Sequence, residues 1–98
     1  MLLLTAYVEC GPENRDALRA AAAVLAASTR EEAGCIEYNF YENTEEPGRF
    51  VFVELWRDNA ALEAHFAAPH LADFVRVSAP LLTGRHGTVY EVDEGRKL

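Results

Sequence analysis

Arg49-Phe50-Val51-Phe52-Val53-Glu54-Leu55-Trp56-Arg57, residues 49–57, is the most β-favouring run in the chain. Strand periodicity puts Phe50, Phe52, Glu54 and Trp56 on one face and Val51, Val53 and Leu55 on the other, so both faces are largely apolar. Just before it, Cys35 to Glu42 (CIEYNFYE) alternates Ile36, Tyr38 and Phe40 with Glu37 and Asn39, and the acidic turn Asn43 to Gly48 joins the two runs. A loop of that length between two strands predicts a hairpin, with Glu42, Glu45 and Glu46 as a solvated tip.

Residues 2–9 (LLLTAYVE) read as a further strand, ended by Gly11-Pro12. From Pro12 to about Ala33 the spacing of Ala17, Leu18, Ala21, Ala22, Leu25 and Ser28 predicts an amphipathic helix, with Gly34 as its left-handed C-terminal cap. On the other side of the hairpin, Asp58 is an N-cap for a short helix through Phe66. Ala68-Pro69 interrupts it, and a second helix carries Leu71, Phe74, Val75, Ser78, Leu81 and Leu82 before Gly84 stops it. His86 to Val92 supplies the last strand. The order matches an α+β, ferredoxin-like βαββαβ arrangement with an antiparallel four-stranded sheet.

A length of 98 residues with 50% hydrophobic content fits one domain spanning residues 1–98 with a single core. Nine Lys plus Arg against sixteen Asp plus Glu give a net charge of -7, and no basic run exceeds Arg96-Lys97, which argues against nucleic acid or an anionic membrane as partner. The apolar start, Met1 to Leu4, lacks a basic flank and the length of a signal or membrane span, so a cytoplasmic protein is expected, with Cys10 and Cys35 as free thiols. The helices of this topology cover one sheet face only. Because the other face is also apolar, the economical cover is a second copy packed sheet to sheet, a homodimer.

Three segments resemble the antibiotic biosynthesis monooxygenase domain family, over essentially the whole chain: Glu32-Ala33-Gly34-Cys35-Ile36-Glu37-Tyr38, then Arg49 to Asp58, then Ala61-Leu62-Glu63-Ala64-His65 with Ala68-Pro69-His70-Leu71. The resemblance implies a dimeric α/β barrel with one pocket per subunit between sheet and helices. It also implies a small aromatic or quinol-like substrate oxidised with dioxygen and without a cofactor. In the family the tryptophan matching Trp56 lines the pocket; as a residue in its own right Trp56 is equally a core anchor. Arg76 matches a cationic position in some polyketide-oxidising relatives, and its other reading is a solvent-facing arginine. Phe52 stands where those relatives carry Asn, which makes the pocket more apolar. The haem-degrading relatives have His and Asn where this chain offers Val75 and Tyr7.

Glu54 sits between two aromatics on a dry face, so it needs a hydrogen-bond donor or a raised pKa. His65 is the nearest donor in sequence. The pair reads either as a proton-transfer unit, with His65 as base and Glu54 fixing its tautomer, or as a bond locking the short helix to the sheet. Phe52, Phe66 and Phe74 are expected beside the pocket together with Tyr38, the alternative to Asn39 if the hairpin register shifts. His65, His70 and Asp73 fit no metal-ligand spacing, so no metal and no cofactor are expected. These readings converge on a cofactor-independent monooxygenase of a small quinol or phenol. A non-catalytic ligand-binding dimer and an isomerase of a small carbonyl compound remain open beside it.

Overall fold

The computed structural model describes residues 1–98. Four strands, β1 (Leu2–Cys10), β2 (Cys35–Glu42), β3 (Arg49–Trp56) and β4 (Leu82–Glu91), form one sheet of order β2-β3-β1-β4, every pair antiparallel. Helix α1 (Arg15–Thr29) follows β1, and α2 (Asn59–Phe66) and α3 (Pro69–Ser78) together fill the second helical position. This is the ferredoxin-like βαββαβ topology.

The register assembles four rows across the helix-covered face. They are Cys35, Trp56, Leu2 and Glu91; Tyr38, Glu54, Leu4 and Val89; Phe40, Phe52, Ala6 and Gly87; and Glu42, Phe50, Val8 and Arg85. In the third row two aromatics give way to an alanine and a glycine, so the sheet is thick under β2 and β3 and thin under β1 and β4. That step leaves room beneath the helices. On the opposite face Leu3, Val51, Val53 and Leu55 are only half-buried, and Tyr7, Tyr41 and Tyr90 are exposed.

Several boundaries differ from the sequence expectation. A 3-10 turn at Pro12–Asn14 precedes α1, which ends at Thr29, not near Ala33, and its buried stripe is Leu18, Ala22, Leu25, Ala26 and Thr29, with Ala17 left exposed. The pairing of β2 shifts between Cys35 and Glu37, so Ile36 falls outside the alternation and is exposed. Helix α3 stops at Ser78, with Leu81 N–H donating to the Ser78 carbonyl at 2.8 Å, and β4 starts at Leu82, four residues before His86. Pro80 has no N–H to continue the helix, and β1 offers pairing from Cys10 onward, so Gly84 lies inside the strand. No helix is long and apolar enough to cross a membrane. Asp58 caps α2 as expected, its side chain accepting from Ala61 N–H at 2.9 Å.

Glu42 is not part of a solvated tip. Its carboxylate accepts from Arg15 Nε at 2.8 Å, from Gly48 N–H at 3.0 Å and from Arg19, fastening α1 to the β2–β3 hairpin. Arg15, Gly48 and Arg19 hold its pKa at about 2, below the ordinary 4.5. A carboxyl whose folded pKa is depressed stabilises the fold above its unfolded pKa, and the contribution disappears as pH falls through the folded value. Glu42→Gln is therefore expected to be less stable than the parent at pH 7, with the gap in urea unfolding closing between pH 4.5 and 2; a gap independent of pH contradicts this.

Candidate active site

A cavity of about 460 Å³ lies where the sheet is thin, walled by Leu4, Ala6, Phe52, Glu54 and Tyr38 from the sheet, His65 and Phe66 from α2, and Phe74 and Ser78 from α3. Arg85, His86, Gly87 and Thr88 of β4 form an exposed side. Mostly apolar walls with a few convergent polar groups are the usual make-up of a small-molecule site.

His65 is fixed from two directions. Its ring packs against Trp56 at 4.7 Å and Tyr38 at 5.4 Å between centroids, and its Nδ1–H donates to Glu32 Oε2 at 2.7 Å. Because a carboxylate oxygen only accepts, this bond places the proton of the neutral imidazole on Nδ1 and leaves a lone pair on Nε2. Nε2 has no hydrogen-bond partner in the protein, and the residue is on the cavity wall. The same Glu32 oxygen accepts from His70 Nε2–H at 2.7 Å.

Gly34 makes that arrangement possible. It has φ of +83°, and a Cβ there would stand 2.5 Å from the Ala61 Cβ, so only glycine lets the loop after α1 press onto α2. The donor atoms of Glu32, His65 and His70 all lie within 4.8 Å of one another, the one grouping in the chain with the spacing to hold a divalent cation. Asp73, considered with the two histidines from sequence, instead pairs with Arg76 on the surface.

Glu54 does not bond His65. Its Oε1 accepts from the Trp56 indole N–H at 3.0 Å, because positions 54 and 56 point the same way on one strand. Burial raises the Glu54 pKa to about 7; the indole bond opposes that rise and the nearby Glu32 charge adds to it. Burial likewise drives the Tyr38 phenol above its ordinary range, with the Glu54 charge as the next cause.

The structure therefore brings together His65, Glu54, Phe52, Tyr38, Phe66 and Phe74 of the residues singled out by sequence. Two stand apart. Trp56 is fully buried behind His65 and does not reach the cavity, and Arg76 faces solvent beside Asp73, since its position on α3 points away from the sheet. Sequence reasoning passed over Glu32 and Arg85. The first carried a signal in its place two residues before Gly34, the second in its place two residues before the glycine of the thin row.

The Glu54 carboxyl makes a pH prediction whose sign is set by its raised pKa. Stability it lends the fold is fully present below its unfolded value of 4.5 and is lost as pH rises through about 7. Against Glu54→Gln, which keeps an acceptor for the indole, the parent should weaken between those values by on the order of 3 kcal/mol. Denaturant unfolding of both proteins at pH 5 and pH 8 checks it; a difference unchanged between the two pH values means that the carboxyl is not desolvated.

Residues 1–77 match the family described as "Antibiotic biosynthesis monooxygenase". The chain is 34% identical over 83 residues to "Putative monooxygenase YcnE" of Bacillus subtilis (strain 168), covering 85% of this chain and 87% of that protein. It is 35% identical over 81 residues to "Uncharacterized protein sll1783" of Synechocystis sp. (strain ATCC 27184 / PCC 6803 / Kazusa), covering 83% of this chain and 55% of that protein, so it spans about half of that relative's length. The crystal structure of a "putative antibiotic biosynthesis monooxygenase" from Deinococcus radiodurans matches with a TM-score of 0.95 and 27% identity, covering 100% of this chain and 98% of the other. The family match over residues 1–77, on a fold shared with the Deinococcus radiodurans protein, carries the conclusion: the chain belongs to the antibiotic biosynthesis monooxygenase family.

Proposed function

We propose that the protein is a cofactor-independent monooxygenase that oxidises a small quinol or phenol with dioxygen, and that it works as a homodimer. The observation that carries the reading is His65, a residue lining a largely apolar cavity, whose Nδ1–H is committed to Glu32 and whose Nε2 has no partner in the protein. That is the geometry of a general base with an orienting carboxylate. Nε2 takes the proton of a phenolic hydroxyl, and the resulting imidazolium is balanced by Glu32 against its Nδ1–H.

The quinolate is then electron-rich enough to reduce dioxygen directly. For a simple benzoquinol the balance is quinol plus dioxygen to hydroxyquinone plus water: one oxygen atom enters the ring, the other leaves as water, and all four electrons come from the substrate. No external reductant is consumed. Glu54, with a pKa of about 7, exists in both protonation states near neutral pH. Its protonated form supplies a hydrogen-bond donor to an oxyanion developing in the cavity. Tyr38, Phe52, Phe66 and Phe74 provide aromatic surface for the ring.

The homodimer rests on the sheet face that the helices leave uncovered. Leu3, Val51, Val53 and Leu55 at its centre are flanked by Tyr7, Tyr41 and Tyr90, and leaving each large apolar side chain wet forfeits about 1.5 to 3 kcal/mol. A second copy packed on that face removes the loss.

Oxygen-electrode assays over a panel of quinols and phenols test the chemistry. Uptake of dioxygen in equal amount to substrate is expected, with turnover abolished under anaerobic conditions and reduced about a hundredfold or more in His65→Gln. Product formed without dioxygen makes the protein an isomerase; ligand binding without turnover makes it a binding protein. Either result overturns the proposal. In sedimentation, the parent is expected to be a dimer at micromolar concentration and Val53→Asp a monomer; a monomeric parent contradicts the assembly.

A further inference from the structure

We infer that the ligand of this cavity is an acidic aromatic, bearing a carboxylate that Arg85 receives at the end of the cavity opposite His65. The inference rests on the cavity being a ligand site, as proposed above, and adds the class of molecule it takes.

Arg85 is the one arginine of the folded domain without an acceptor. Arg15 and Arg19 bond Glu42, Arg30 bonds the Tyr38 carbonyl and Asn39, Arg49 pairs with Glu9 and Glu46, Arg57 with Asp58 and Arg76 with Asp73. In a chain with sixteen carboxylates and a net charge of -7, a guanidinium left without one is unusual in its placement. That placement is specific. The register sets Arg85 opposite Val8, on the same sheet face as Leu4, Ala6 and Glu54, and it is on the cavity wall. The neighbouring His86, at the rim of the same cavity, has its ring stacked on Tyr7 at 4.8 Å between centroids.

The two ends of the cavity differ in chemistry. His65 and Glu54 belong to the end marked by Trp56 and Tyr38, where a hydroxyl meets the base. Arg85 belongs to the row of Phe50 and Val8. From the Glu54 row to the Arg85 row is four residues along β4, about 13 Å, and from β3 to β4 is two strand spacings, about 10 Å, so the two Cα atoms are about 16 Å apart. With both side chains standing off the sheet, as strand side chains do, a span of about 16 Å takes a fused two-ring aromatic with its acid and its hydroxyl at opposite ends and a hydrogen bond of about 2.8 Å at each. A guanidinium fork matches a carboxylate with two parallel hydrogen bonds, and with the chain's overall field repelling anions, only such a local cation can hold one.

Calorimetric titration with four stable probes tests this: 6-hydroxy-2-naphthoate, its neutral carboxamide, 2-naphthol, and 3-hydroxy-2-naphthoate, in which the acid and hydroxyl are adjacent. The parent is expected to bind 6-hydroxy-2-naphthoate about tenfold more tightly than the carboxamide and more tightly than the adjacent isomer. Arg85→Gln should erase the preference for the acid and leave 2-naphthol binding unchanged. Equal affinity for acid and carboxamide in the parent, or a preference that survives Arg85→Gln, overturns the inference while the site reading stands. Binding of none of the four overturns the site reading, and this inference with it.

Discussion

One oxygen atom, Oε2 of Glu32, organises the functional half of the molecule. It accepts from His65 on α2 and from His70 on α3, both at 2.7 Å, and so ties two helices to the loop that follows α1. The bond to His65 also decides which ring nitrogen bears the proton. A structural tie and a chemical instruction are thus the same contact, and both depend on Gly34, whose positive φ and missing Cβ let the loop lie against Ala61.

The sheet sets the other half of the site by subtraction. Three of its four inner rows carry larger side chains on β1 and β4, but Ala6 and Gly87 stand there in the third row, and the hollow follows from that loss of volume. Glu54 sits in the adjoining row, 3% exposed, with a single indole donor. A carboxyl in such surroundings resists ionisation, and a raised pKa is the physical result. Behind it, Trp56 buttresses the imidazole without touching the cavity space. The polar groups that can do chemistry are therefore few and held in place by aromatic packing, the condition under which a hydrogen bond or a charge has its largest effect.

Much of the fold was legible in the sequence because its determinants are local. The alternation of residues 49–57 appears unchanged as buried Phe50, Phe52, Glu54 and Trp56, and the Asp58 cap acts within three residues. Where local patterns conflicted with pairing, pairing prevailed: Leu81 and Leu82 continue the helical stripe of α3, yet β1 recruits Leu82 into the sheet. The site was legible only in part. Its aromatic walls follow from strand parity, but the partner of His65 lies 33 residues away in sequence and is set by how a loop packs on a helix. Neighbourhood in sequence pointed to Glu54 instead. Arg85 likewise gains its meaning only when β4 is placed in register with β1.

The proposed chemistry requires that neutral His65 carry its proton on Nδ1 and present an unprotonated Nε2 to the cavity. Long-range proton–nitrogen correlation spectra of the protein labelled at its histidines, recorded above the imidazole titration, read the tautomer of each ring directly. The Nδ1–H form is expected for His65 and the Nε2–H form for His70, both donating to one carboxylate. A His65 ring protonated on Nε2 contradicts it, for the nitrogen facing the substrate would then already hold the proton it is meant to take.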